Sequence, residues 1–317
     1  MSPNTIIRPY GTAAIAEAAA LIRAGQPVAV PTETVYGLAA DATNGEAVAR
    51  IYEAKGRPSF NPLIVHVLDL AAAEQLGIFD DRARALAMAH WPGPLTLVVP
   101  TRTDSPVASL VTAGLDTIAI RVPAHRAMRA LLTASGKPLA APSANASGTI
   151  SPTRAAHVQR TLDGRIDMIV DDGPCLVGIE STIIACDGNG FRLLRAGPLM
   201  IDGVAASAGD RIEAPGQMAQ HYAPSKPLRL NAHAAEADEW LIGFGAVAGN
   251  ATLSATGNLI EAAANLFERL HEADAAVKQR IAIAAIPDTG IGAAINDRVS
   301  RAAFGNPREA SIFRRRV

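Results

Sequence analysis

The sequence predicts an α/β protein in two unequal units, and three observations carry that prediction. Short apolar runs alternate with helix-period segments along most of the chain, the pattern of strands and helices packed in layers. The stretch from Ala214 to Pro227 is rich in proline and has no apolar period, which marks a linker. Beyond it the alternation resumes, with strands over Trp240–Phe244 and Ile281–Ile286 and helices over Leu259–Leu270 and Ile291–Ala303. The expected division is a first unit over residues 1–210, a linker over 211–229 and a small α/β unit over 230–317.

Taken in order, the first unit opens with Thr12 placed to cap a helix over Ala13–Arg23 that Gly25 ends. A strand Val28–Val30 stops at Pro31, and the polar cluster Thr32, Glu33, Thr34 and Tyr36 follows at once. A helix over Glu46–Ala54 leads to Lys55-Gly56-Arg57-Pro58, and Asn61-Pro62 opens a strand Leu63–Val67 with His66 in its middle. Hydroxyls, two cations, an amide and an imidazole thus stand at strand ends and turns, where α/β proteins bind ligands. A helix over Asp81–His90 stops at Trp91-Pro92-Gly93-Pro94, and a strand Leu95–Val99 and a polar loop Thr101–Pro106 follow. Thr117–Val122 alternates as a half-buried strand does and sets Arg121 at its end, two residues before Pro123. A helix over Arg126–Thr133 precedes a strand Pro138–Ala141 and then the small-residue run Pro142–Thr153, in which Ser151 is expected to cap the next helix with Pro152 in its first turn. Strands over Ile166–Val170, Ser181–Ala185 and Phe191–Leu194 complete the unit, with the loop Gly178–Thr182 and the turn Arg195–Pro198 at their ends.

Composition removes several classes of function. The 317 residues are 49% hydrophobic and 19% charged, the balance of a globular protein with ample core. Lys+Arg 29 against Asp+Glu 30 gives a net charge of -1, so a polyanion must be met by a local cluster. A sequence pI of about 6.7 and the lack of aromatic–basic runs weigh against an RNA-binding module. Cys175 and Cys186 match no metal-ligand spacing. No apolar run approaches membrane-spanning length and no leader segment stands out, so a cytoplasmic protein with no membrane partner is expected. A P-loop is absent, since Ser135-Gly136-Lys137 runs into Pro138, and no G-x-S-x-G elbow occurs. Gly243-Phe244-Gly245 with Gly249 is followed by no immediate helix, as a dinucleotide loop would require.

What remains is local. Lys55 and Arg57 are either a phosphate clamp or a surface charge pair. Ser143-Ala144-Asn145-Ala146-Ser147-Gly148 is either a loop whose amides and side chains meet an anion or a plain turn. His66 and Arg121 each sit in an apolar strand, and the guanidinium is the harder to hide, so Arg121 is the better candidate for an anionic substrate group.

The segments PTETVYGL, KGRPSFNPLIVHV, WPGPLTLV, TIAIRVP, APSANASGTISPT, GIESTII, LRAGPL and HYAP follow one another along the chain. In them it resembles the threonylcarbamoyl-AMP synthase family in its longer form, a YrdC-like domain followed by a smaller Rossmann-like α/β domain. The resemblance implies a twisted mixed sheet with flanking helices and a concave, locally basic face. It implies condensation of L-threonine, bicarbonate (or CO2) and ATP to threonylcarbamoyl-AMP and diphosphate, with Mg2+ carried on the ATP. A separate tRNA threonylcarbamoyl transferase complex would take the product to form N6-threonylcarbamoyladenosine, with no stable tRNA contact here. Carbamoyl-adenylate formers of the hydrogenase-maturation kind share the YrdC-like domain, but two cysteines leave no room for their zinc motifs.

Carried over position by position, the resemblance implies threonine contacts at Thr34, His66, Arg121, Ala141 and Ser181. It implies nucleotide contacts at Lys55, Arg57, Asn61, Thr117, Ser143, Asn145, Ser151 and Arg195, with Lys55 and Arg57 as the catalytic pair and Tyr222 closing from the linker as part of a lid. Gln217, Met218, Ala219 and Gln220 depart from the family, where many relatives carry basic or aromatic residues. Such a reaction needs no covalent enzyme nucleophile: the threonine amine takes up CO2, and the carbamate oxygen attacks the α-phosphorus in line.

Overall fold

The structure is a computed structural model that describes residues 4–186, 190–206, 213–216 and 221–304. The strands β1 (Ile6–Pro9), β2 (Val28–Pro31), β3 (Tyr36–Asp41), β4 (Ile64–His66), β5 (Leu95–Pro100) and β6 (Thr117–Arg121) belong to one sheet. So do β7 (Leu139–Ala140), β8 (Met168–Asp171), β9 (Thr182–Cys186), β10 (Phe191–Arg195) and β11 (Ala205–Ala206). Their order is β1-β8-β2-β3-β7-β4-β6-β5-β9-β10-β11. Parallel pairs such as β4–β6 and β5–β9 stand between antiparallel pairs such as β7–β4 and β5–β6, so the sheet is mixed.

Side chains alternate along a strand, so each strand feeds two layers. In β2, Ala29 faces a core shared with the helices α2 (Gly45–Lys55), α4 (Asp81–His90) and α7 (Ala155–Leu162). Val28 and Val30 face the other way, toward α1 (Thr12–Arg23) and α6 (Arg126–Ser135). Those two helices cover only half of their face. Over β4, β5, β6 and β9 the same face carries a small cluster, Ile64, Val98, Ala119, Ile183 and Ala185, which Ala214 of the linker closes. That half is the concave surface on which the site lies.

The second unit has a parallel four-stranded sheet, β12 (Leu228–Arg229), β13 (Glu239–Gly243), β14 (Ala251–Thr252) and β15 (Arg280–Ile283), in the order β12-β15-β13-β14. Helices α8 (Leu259–Ala275) and α9 (Ile291–Ala302) pack on it. Its core does not end at its own elements. Val35, Ile150 and Ile179, from three loops of the large sheet, and Tyr222 from the linker are buried in it.

Two expected caps are not used. Helix α1 starts behind Gly11 with no side-chain cap, and Thr12 is its first residue. Helix α7 starts behind Arg154, also without one, three residues past Ser151, whose hydroxyl donates to Glu180 instead (2.5 Å). Strand β3, absent from the sequence reading, is buried at all six positions, which erases the alternation that marks a half-covered strand. The short helices α3 (Leu70–Glu74) and α5 (Ser109–Thr112) and strands β1, β12 and β14 are too brief to show a period. Among the described residues no helix is long and apolar enough to cross a membrane. The departures at Gln217–Gln220 and the basic Arg314–Arg316 tail lie outside the described residues.

Candidate active site

Strands β4 and β6 run parallel with His66 and Arg121 in register. Val65 and Ile120 point into the helical core, so His66 and Arg121 point to the concave face. Arg121 is 4% exposed, and each of its three side-chain nitrogens donates one hydrogen bond. Its Nε donates to the Gly93 carbonyl (3.2 Å), Nη1 to Thr34 Oγ1 (2.9 Å) and Nη2 to Glu33 Oε1 (2.5 Å). Burial alone would raise the Glu33 carboxyl, but Arg121 outweighs it and holds the group below the usual carboxylate range. Thr32 Oγ1 accepts from the amides of Thr34 (3.2 Å) and Val35 (3.2 Å), fixing the turn that presents Thr34. Burial, then the neighbouring Arg121, pushes the His66 imidazole down to about 3, so it is neutral at pH 7. Its Nδ1 has no hydrogen-bond partner among the described residues. Ser181 Oγ lies 2.7 Å from Thr96 Oγ1 and accepts from Arg195 Nη2 (3.1 Å), and Ala141 completes this wall.

The other end differs in charge. Gly56 takes a left-handed φ of 60°, which ends α2 and turns the chain between Lys55 and Arg57. Lys55 Nζ donates to the carbonyls of Ser143 (2.6 Å) and Asn145, tying the 143–145 loop to the end of the helix. Arg57 donates to the carbonyls of Asn61 (3.3 Å) and Pro62 (3.0 Å). Arg195 donates to the carbonyls of Ser181 (3.1 Å) and Pro215 (3.4 Å) besides the Ser181 hydroxyl. No carboxylate pairs with any of these three cations among the described residues. Burial pushes Lys55 well below its ordinary value, with Arg57 adding to the effect, brings Arg57 to about 10 and lowers Arg195. The surface-pair alternative for Lys55 and Arg57 therefore fails, since both are buried. Cations held out of water without a counter-charge are poised for an anion.

A cavity of about 40 Å³ joins the two ends. Its lining includes Thr34, Arg57, His66, Arg121, Ala141, Ser143, Ser181 and Arg195, eight of the residues anticipated from the sequence. Pro215, Gly216 and His221 roof it. Gly216 has φ +89°, and a Cβ there would stand 2.9 Å from Arg195 Cδ, so glycine lets the roof rest on that arginine.

The other anticipated residues lie outside the lining. Lys55 and Asn145 stand directly behind Ser143, and Asn61 behind Arg57; Asn145 Oδ1 has no partner among the described residues. Ser151 lies behind Glu180. Thr117 is at the far end of β6, roughly 13 Å from Arg121 at strand spacing. Tyr222 is fully buried against Phe267 (ring centroids 5.5 Å apart) and His221 (4.0 Å), and it is His221 that reaches the cavity. Three groups escaped the sequence reading as site residues: Glu180 and His221 in the lining, and Glu33 on Arg121. Glu33 and Glu180 stand inside the PTETVYGL and GIESTII segments, each as the one charged residue of its segment, and that was the signal.

An α/β fold whose cavity has cations without carboxylate partners at one end and an Arg–Glu pair with hydroxyls at the other is a protein built to receive a polyanion beside a smaller charged group. Residues 20–197 match the Sua5/YciO/YrdC family described as "Telomere recombination", and residues 192–304 match "Threonylcarbamoyl-AMP synthase, C-terminal domain". The threonylcarbamoyl-AMP synthase of Bacillus subtilis (strain 168) is 42% identical over 323 residues, covering 92% of this chain and 93% of that protein. That of Pyrococcus abyssi (strain GE5 / Orsay) is 37% identical over 319 residues, covering 90% and 92%. The crystal structure of P. abyssi Sua5 complexed with L-threonine superposes with a TM-score of 0.87 at 36% identity, over 94% of this chain and 98% of that one. HypF in its phosphate- and nucleotide-bound form shares the fold alone, at 19% identity and a TM-score of 0.52. The chain belongs to the threonylcarbamoyl-AMP synthase family, in its two-domain form.

Proposed function

We propose that the chain condenses L-threonine, bicarbonate or CO2 and ATP to threonylcarbamoyl-AMP and diphosphate. The observation that carries this reading is the asymmetry of the cavity: Arg57 and Arg195 in its lining and Lys55 behind it are buried without carboxylates at one end, and Arg121 is paired with Glu33 at the other. Three such cations suit a triphosphate, since they supply charge where diphosphate departs. The Arg121 fork suits the threonine carboxylate, with Thr34 and the neutral His66 beside it for the hydroxyl and amine. Reaction then follows from position. The threonine amine bonds to the CO2 carbon and releases a proton, and a carbamate oxygen bonds to the α-phosphorus as the bond to diphosphate breaks.

Magnesium fits as an ion carried by ATP. No group of three or more His, Cys, Asp or Glu able to hold a metal stands among the described residues, so phosphate oxygens and water would supply most donors. When bound, the ion would offset charge on the departing diphosphate. The roof over Arg195 excludes water from a labile mixed anhydride. The product then passes to a separate transferase acting on tRNA, in keeping with a cytoplasmic location. The test is diphosphate release from ATP with each substrate omitted in turn. Release that requires both threonine and bicarbonate is expected; equal release without either one refutes the reading.

A further inference from the structure

Glu180 is a carboxylate in the lining of an anion-binding cavity, and its partner comes from the other unit. Arg298 of α9 has no exposed surface. Its Nε donates to Glu180 Oε2 (2.9 Å) and its Nη2 to the Glu180 carbonyl (3.3 Å), while Nη1 donates to the carbonyls of Ala196 (2.8 Å) and Ala294 (3.0 Å). Asp297 Oδ2 lies 3.9 Å from Nη1, and the guanidinium sits 5.7 Å from the Tyr222 ring centre. Ser151 Oγ holds the other Glu180 oxygen (2.5 Å). Both oxygens are thus engaged, while Arg195 lines the same cavity and donates to the carbonyl and hydroxyl of the adjoining Ser181. Burial alone would raise the Glu180 carboxyl, but Arg298 first and then Arg195 hold it below the usual range, so it is charged.

An anionic carboxylate with no other partner would turn to the nearest unpaired cation, and Arg195 is in its field. A neutralised Arg195 would no longer serve a phosphate. We propose that Arg298 is a positioning residue: it holds Glu180 away from Arg195, so that the small unit keeps the nucleotide end of the cavity cationic. This rests on the assignment of that end to ATP. It gives the second unit a role in the reaction that its distance along the chain conceals, since Arg298 and Glu180 are 118 residues apart in sequence. The docking beneath it is tight: a Cβ on Gly178 would meet the Ala264 carbonyl at 2.4 Å, so this loop lies directly on α8.

Calorimetric titration of ATP and of L-threonine into wild type, Arg298→Met and Arg298→Met/Glu180→Gln tests the proposal. Arg298→Met leaves Glu180 free to pair with Arg195, and ATP affinity should fall about tenfold or more, the order expected for one charge-assisted contact, with threonine affinity changed by less than about threefold. Removing the carboxylate as well should return ATP affinity to within about threefold of wild type, a rescue that a merely structural role would not give. Should the single variant not fold, the double variant carries the test by itself. Unchanged ATP binding in a folded Arg298→Met, or a double variant that stays about tenfold weak, overturns the proposal. If wild type binds no ATP, the nucleotide assignment falls and the proposal with it.

Discussion

The two ends of the cavity are built from the same residue types and behave as opposites. At one, Arg121 is met by Glu33, and His66 is neutral beside it. At the other, Lys55, Arg57 and Arg195 are held by carbonyls and hydroxyls that satisfy their N–H groups without cancelling their charge. The difference teaches that an arginine's role is set by its acceptor. A carboxylate partner leaves a nearly neutral fork, suited to a zwitterion whose carboxylate joins the pair. Carbonyl partners leave a net charge, and a polyanion completes it.

The largest effect should come from cancelling charge at the unpaired end. Lys55→Met removes a cation that is 3% exposed, and kcat/KM for ATP should fall on the order of 10²–10³-fold, the scale of losing one preorganised charge donor. Steady-state diphosphate release checks this; a loss of only a few-fold would mean that Lys55 merely braces the 143–145 loop. Tyr222→Ala should also be severe, but through folding. The ring is fully buried in the second core, so truncation should lower stability by about 3–5 kcal/mol in a denaturant titration. The ring is anchored in that core while its hydroxyl stands beside Gly216 of the roof. Tyr222→Phe separates the two roles, since it keeps the packing and removes only the hydroxyl. An intact melting temperature with lower product yield is expected, and full yield would leave closure to His221 and the Pro215-Gly216 turn.

At the paired end, Arg121→Lys keeps the charge but loses the fork. Threonine binding should weaken by about 1.5–3 kcal/mol while ATP binding holds. Unchanged threonine affinity in a calorimetric titration would break the division of the cavity. The most general effect is on pH. Burial, aided by nearby charge, takes His66, His221 and His271 to about 3 and His157 to about 4, against 6.5 in the unfolded chain. Below about 6.5 the unfolded chain takes up protons that the native state refuses. Stability is therefore full above that pH and is lost as pH falls toward about 4. The melting temperature should drop between pH 7.5 and 5.5; a flat profile would mean that these rings are more open to water than the structure shows.

Much of the paired end and the Lys55–Arg57 turn was legible, because polar residues at the ends of apolar strands stand out against their neighbours. Register did the rest: His66 and Arg121 become neighbours only through the parallel pairing of β4 with β6. What escaped was long-range. Ser151 reads locally as a helix cap, and only the fold shows that Glu180 takes its hydroxyl. Val35, Ile150 and Ile179 read as apolar residues within polar loops, and their burial in the second core cannot be seen until that unit is docked. The burial of the Tyr222 ring in that core is hidden for the same reason.

Two ends built for different ligands should accept both at once. The most direct measurement is a calorimetric titration of inorganic triphosphate into the protein, alone and saturated with L-threonine, repeated with Arg57→Gln. Triphosphate should bind wild type equally well with threonine present, and Arg57→Gln should weaken the triphosphate while sparing threonine. Mutual exclusion of the two ligands, or equal weakening of both by Arg57→Gln, would contradict it.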